Sequence, residues 1–194
     1  FIGAFFTLAG CLLRAPPIWD EEVYLQLAAH ALSSPLNPFH PWLSWVPHPP
    51  LSWYLLAVFN RVPRMAPLLT STLCIVFLFY VCRRLYDSEV AKLSAALLVS
   101  TQSYLLYSLV TFPDGPVMAF MALSLLSFLC WARSGEQRFL WFCGLGLSLA
   151  SLTKYTAVPI LLVTFIVWLT ILRDFSLFKV IKLSGVIAVS LLPL

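Results

Sequence analysis

Apolar runs of about 15 to 20 residues follow one another along almost the whole chain, and this succession constrains the fold more than any other feature. A run near 20 residues crosses a hydrocarbon core about 30 Å thick, where a helix satisfies all its own backbone N–H and C=O groups. Hydrophobic residues make up 61% of the chain and charged residues 10%, against about 25% charged in soluble domains. The expected fold is therefore all-α, a polytopic transmembrane helical bundle with about six or seven spans.

The bilayer is the partner this composition demands. The net charge of +4 resides in short basic clusters between apolar runs, so no nucleic-acid partner is implied. The five cysteines, Cys11, Cys74, Cys82, Cys130 and Cys143, have no CxxC spacing and read as small buried hydrophobes. The chain begins at Phe1 inside one apolar run and stops at Leu194 inside another. Residues 1–194 are accordingly expected to be a single transmembrane module, a piece of a longer protein.

Residues 1–13 read as a membrane helix stopped by Arg14 and the Pro16-Pro17 pair. An external loop, 14–63, follows, too rich in Pro, His and Trp for a simple connector. Within it Tyr24, Leu27, Ala28 and Ala31 share one helical face, predicting a surface helix over 20–32. Trp42, Trp45 and Trp53 suit a membrane interface. A second short helix is expected from Pro49-Pro50 through Leu51 to Asn60. Further apolar runs cover about 64–82, 90–110, 116–132, 139–153, 156–172 and 180–194.

Charge bias orients these runs. Arg83, Arg84 and Lys92 share one connection, Arg133 and Arg138 a second, and Arg173, Lys179 and Lys182 a third, all on the face that reads as cytoplasmic. Only Arg14, Arg61, Arg64 and Lys154 remain for the other side. The acids Asp20, Glu21, Glu22 and Asp114 and the three histidines fall on that extracytoplasmic side too.

Each of these groups has a plain structural role available. Asp20 can cap the surface helix, with Glu21 and Glu22 complementing its dipole. Asp114 can cap a membrane helix, and Lys154 can snorkel to the interface. His30, His40 and His48 match no metal-ligand spacing. Jointly they say more, because ionisable groups at a membrane boundary are costly and mark sites. A carboxylate there can act as a general base on a hydroxyl or hold a cationic acceptor, while a cation holds a phosphate leaving group that departs without a strong acid.

Five motifs occur in one order. They are Asp20-Glu21-x-x-Tyr24, His48-Pro49-Pro50-Leu51, Arg83-Arg84-Leu85-Tyr86, Thr111-x-Pro113-Asp114-x-Pro116 and Leu152-Thr153-Lys154-Tyr155-Thr156. Their order and sidedness resemble the GT-C superfamily, and within it the bacterial branch of the dolichyl-phosphate-mannose protein mannosyltransferase family, which includes aminoarabinose transferases. The resemblance covers about residues 1–172.

What it implies is an integral-membrane, inverting glycosyltransferase that takes a sugar from a polyprenyl-phosphate donor and passes it to a glycan, lipid or protein acceptor on the extracytoplasmic face of the inner or plasma membrane. Asp20 is the implied catalytic base or acceptor-orienting residue, Glu21 its neighbour at the site and the second catalytic candidate, and Asp114 the second acidic position of the family, an acceptor or site carboxylate. His48 and Lys154 are the implied donor-phosphate contacts, Arg64 is expected to assist them as a further cation on the same side, and Tyr24 and Tyr155 are expected to line the site. No cofactor is required by these residues; a divalent metal is the one candidate. Val23 stands where aminoarabinose transferases often carry Arg, and His48 where many relatives carry Lys, which leaves less fixed positive charge at the phosphate. Two other classes predict different features. A transporter or flippase would place charges at mid-span in repeated halves, and neither occurs here; a non-catalytic lipid- or partner-binding fragment would need a second polypeptide for activity.

Overall fold

The computed structural model describes residues 15–38, 49–172 and 177–192, with Gly10 and Leu13. Every regular element among them is helical. The stretch before the bundle contributes α1 (Glu21–Ser33) and α2 (Leu51–Val58). The bundle follows as α3 (Met65–Leu85), α4 (Ser88–Ser100), α5 (Gln102–Tyr107), α6 (Asp114–Ser134), α7 (Gln137–Ser151), α8 (Ala157–Leu172) and α9 (Leu177–Leu191). Trp42, Trp45, His40 and His48 lie outside the described residues, as do Cys11, Arg14, Arg173 and Asp174.

Two helices, α3 and α6, have 21 residues each and are long and apolar enough to cross a membrane. At 1.5 Å per residue each spans about 31 Å, the thickness of the hydrocarbon core. The apolar parts of α8 and α9, Ala157–Val167 and Val180–Leu191, are shorter. The expected count of spans is thus met at full length by only two helices among the described residues.

One reason is a break inside the run 90–110. Thr101 adopts an extended conformation, φ −76° and ψ 121°, and separates α4 from α5. The Ser100 and Thr101 hydroxyls donate back to the Ala96 and Leu97 carbonyls at 2.7 and 3.1 Å. Such back-bonding favours bends where polar residues interrupt an apolar helix.

Helix ends follow local chemistry. The Asp87 carboxylate accepts from the N–H groups of Glu89 and Val90, both at 2.8 Å, to cap α4. Gly135, at φ 70°, closes α6 with its N–H on the Trp131 carbonyl.

The bundle is held by close approach of backbones. In lipid, apolar surface gives helices little reason to associate, so small residues and interhelical hydrogen bonds carry the packing. A Cβ on Gly146 would lie 2.5 Å from the Ser124 nitrogen of α6, and one on Gly144 2.5 Å from Val186 of α9. Beside these contacts Ser124 donates to the Cys143 carbonyl at 2.9 Å and Ser148 to the Ser190 carbonyl at 2.6 Å. Phe128 stacks against Phe165 of α8 with centroids 4.8 Å apart. Cys74, Cys130 and Cys143 are buried, in keeping with their apolar neighbours.

α1 and α2 pack on each other and on the start of α3. Leu27, Ala28 and Ala31, with half-buried Tyr24, form the inner face of α1, as the helical spacing predicts. The opposite end of the bundle gathers basic residues: Arg84 and Arg138 both pair with Glu136, and Arg133 donates to the Leu85 carbonyl at 2.7 Å.

Candidate functional site

The chain enters the site through Pro16-Pro17-Ile18-Trp19. Trp19 sits in the left-handed region at φ 48°, which costs a non-glycine residue about 1–3 kcal/mol and persists only where surroundings hold it. What holds it is Glu21. The fully buried carboxylate accepts from the Ile18 N–H at 2.8 Å, from the Thr111 N–H at 2.7 Å, and from Arg64 Nε and Nη2 at 3.0 and 2.5 Å. Arg64 Nη2 also donates to the Pro16 carbonyl at 2.9 Å. Burial by itself would raise the Glu21 pKa, but the bonds from Arg64, Ile18 and Thr111 outweigh it and hold the carboxyl below its ordinary value.

One buried ion pair therefore joins three separated segments: the loop before α1, the start of α3, and the turn leading to α6. It brings together two residues with separate expected roles, Glu21 as a site carboxylate and Arg64 as a phosphate contact. Forty-three positions separate them. No periodic pattern in the sequence reports that pairing.

Asp20 stands in contrast. Its side chain is exposed and makes no capping bond, although it occupies the N-cap of α1. The helix start is organised instead by Glu21, whose carboxylate reaches back to the Ile18 N–H in the loop before the N-cap.

The turn Thr111-Phe112-Pro113 supplies the next layer. The Phe112 ring packs against Tyr24 at 5.6 Å and Trp19 at 6.1 Å between centroids. These two contacts tie the aromatic residues flanking Asp20 to the segment carrying Asp114. Trp19, next to the first motif, and Phe112, an unspecified position within the fourth, are not among the expected site residues, and Thr111, which opens that fourth motif, has no expected role. Gly115 permits the junction, since a Cβ there would meet the Tyr107 carbonyl oxygen at 2.6 Å.

Asp114 opens α6 and accepts from Lys154 Nζ at 2.8 Å. Both side chains remain reachable, 31% and 25% exposed. Lys154 lies in the turn between α7 and α8, where the Leu51 N–H donates to the Leu152 carbonyl at 3.1 Å and so seats the start of α2 beside it. Tyr24 has its phenol pKa pushed up to about 12, first by burial and then by the charges of Asp114 and Asp20. Its hydroxyl consequently stays protonated at neutral pH, in the field of both carboxylates.

Asp20, Glu21, Tyr24, Arg64, Asp114 and Lys154 thus share one end of the bundle. Tyr155 follows Lys154 and is exposed, without a described contact to that group. His48 lies outside the described residues. Among the described residues, no three His, Cys, Asp or Glu side chains gather as a metal-holding group.

The fold is a helical membrane bundle that gathers acidic and basic loop residues at one end. Residues 37–194 match the sequence profile of the dolichyl-phosphate-mannose-protein mannosyltransferase family, and the chain belongs to that family. Two solved structures of ArnT from Cupriavidus metallidurans are similar to it. The apo form has a TM-score of 0.78 and 17% identity over 98% of this chain and 39% of ArnT. The form bound to undecaprenyl phosphate has a TM-score of 0.75 and 16% identity over 97% of this chain and 40% of ArnT. The chain therefore spans about two fifths of the length of the ArnT chains it matches. No curated protein matches it in sequence.

Proposed function

We propose that this chain carries the reaction centre of a membrane glycosyltransferase that moves a sugar from a polyprenyl-phosphate carrier to an acceptor at the extracytoplasmic face. The observation that carries this reading is the contrast between Asp20 and Glu21. Glu21 is saturated by four donors, whereas its neighbour Asp20 is exposed and makes no capping bond, at the same end of the bundle as the Asp114–Lys154 pair. Family membership supports the sugar chemistry. An ArnT structure bound to undecaprenyl phosphate supports the carrier class.

In this reading Asp20 takes the proton of an acceptor hydroxyl as its oxygen attacks the anomeric carbon. The bond from that carbon to the phosphate oxygen breaks, and the electron pair leaves with the phosphate. Lys154 Nζ holds the phosphate oxygens, and Asp114 keeps the ammonium aimed at them when the site is empty. Tyr24, protonated, is a hydrogen-bond donor between the two carboxylates, and Tyr155 lines the open side. His48 is a second phosphate contact in this reading, on the motif resemblance of His48-Pro49-Pro50-Leu51. Glu21 and Arg64 act by positioning the turn. The basic end faces the cytoplasm, since clustered Arg and Lys stay on that side.

Transfer of radiolabelled sugar from a polyprenyl-phosphate donor, measured in proteoliposomes with a protein that contains this chain in its natural length, tests the assignment. Asp20→Asn should lower kcat by about 10²-fold or more, the usual worth of general-base catalysis. Full activity in that variant would end the proposal.

A further inference from the structure

At the end of the bundle away from Asp20, a groove of about 270 Å³ runs between α3, α6 and α7. Its walls are Phe77, Tyr80, Leu123, Leu126 and Phe142, and its one charged lining residue is Arg138. Tyr80 and Phe142 are 52% and 48% exposed, so the groove opens sideways, toward the space lipid occupies around a membrane bundle.

The charge around Arg138 is lopsided. Arg84 and Arg138 share a single carboxylate, Glu136, and both guanidinium groups lie 5.1 Å from the centroid of the Phe139 ring that borders the groove. Arg133 nearby is met by the Leu85 carbonyl and the Tyr86 ring, neither of which carries charge. Among the described residues, three guanidinium groups thus face one acid. The Arg138 side chain is 62% exposed and can reach outward.

We propose that this groove binds one anionic phospholipid, an acyl chain lying along the aromatic wall and the phosphate against Arg138. An apolar slot ended by arginine matches both parts of such a molecule, and a neutral lipid satisfies only the first. Arg84 and Arg133 hold the excess positive charge that favours an anionic headgroup. The site is separate from the reaction centre and independent of the function proposed for it.

Native mass spectrometry of the full chain in neutral detergent, titrated with phosphatidylglycerol and separately with phosphatidylcholine, tests the proposal. One equivalent of phosphatidylglycerol should be retained in preference to phosphatidylcholine. Arg138→Gln should weaken its retention about fivefold, the worth of one basic residue at an anionic lipid surface, and Arg138→Lys should preserve it. Leu126→Trp, which fills the groove and leaves every arginine in place, should release the lipid as well. Equal retention of the two lipids, an unchanged Arg138→Gln, or retention by Leu126→Trp would overturn the assignment. Displacement of the lipid by millimolar inorganic phosphate would overturn it too, by reducing the site to a phosphate contact.

Discussion

The Arg64 guanidinium meets the Glu21 carboxylate with two nitrogens, at 3.0 and 2.5 Å, both side chains almost wholly removed from solvent. Residues from the start of α1 and the start of α3 are locked together by this contact, and the Thr111 amide joins them.

Removing one partner strands the other. Glu21→Gln should destabilise the protein by about 3–5 kcal/mol, because a buried guanidinium loses its counter-charge. The pair Glu21→Gln with Arg64→Met should cost less than the sum of the single changes. Denaturant unfolding of the four proteins in detergent checks both expectations.

The same carboxylate gives stability a defined dependence on acid. Its folded pKa lies below the ordinary 4.5, so its contribution is fully present above 4.5 and is lost as pH falls through the folded value. Thermal melts between pH 7 and 5 should show no loss from this group. Below 4.5 the wild type should lose an increment of melting temperature that Glu21→Gln does not lose.

Asp20 should separate stability from activity. Its carboxylate caps nothing, so Asp20→Asn should shift unfolding by no more than about 0.5 kcal/mol, the range of ordinary surface changes. Sugar transfer in the same variant should nevertheless collapse. A comparable loss of stability would reveal a structural role that the geometry lacks.

Lys154 should act on the donor. Lys154→Gln removes the ammonium that Asp114 holds at 2.8 Å. It should raise the donor KM about tenfold, the effect of losing one charge-assisted hydrogen bond of about 1.5 kcal/mol. Steady-state kinetics with varied polyprenyl-phosphate sugar measures this.

Two glycines should respond in opposite directions. Gly146→Ala pushes a methyl group to within 2.5 Å of the Ser124 backbone and should destabilise the bundle by about 1–3 kcal/mol. Gly185→Ala, where nothing lies within 4 Å, should stabilise α9 by up to about 1 kcal/mol. Thermal unfolding in one detergent compares them.

Much of the architecture is legible before any coordinates. The face formed by Tyr24, Leu27, Ala28 and Ala31 follows from 3.6-residue periodicity, and burial of Leu27, Ala28 and Ala31 matches it. The grouping of basic residues at one end follows from charge bias, and Arg84 and Arg138 do meet on Glu136. The break at Thr101 is less legible, since hydropathy averages over Ser100 and Thr101 and registers an unbroken run. The bend follows from the Ser100 and Thr101 hydroxyls competing for carbonyls of the preceding helical turn, which hydropathy does not register.

The acidic stretch shows where the boundary falls. Composition and local spacing determined an all-α membrane bundle, its helical faces, and an ionisable cluster at one end, because burial pattern and charge bias act over a few residues or a single span. Tertiary structure alone decided that Glu21 turns inward to Arg64 and Thr111 while Asp20 stays open. Adjacent acids carry the same chemistry in sequence, and what separates them is the direction each side chain takes from a turn held at Trp19, set by partners 43 and 90 positions away.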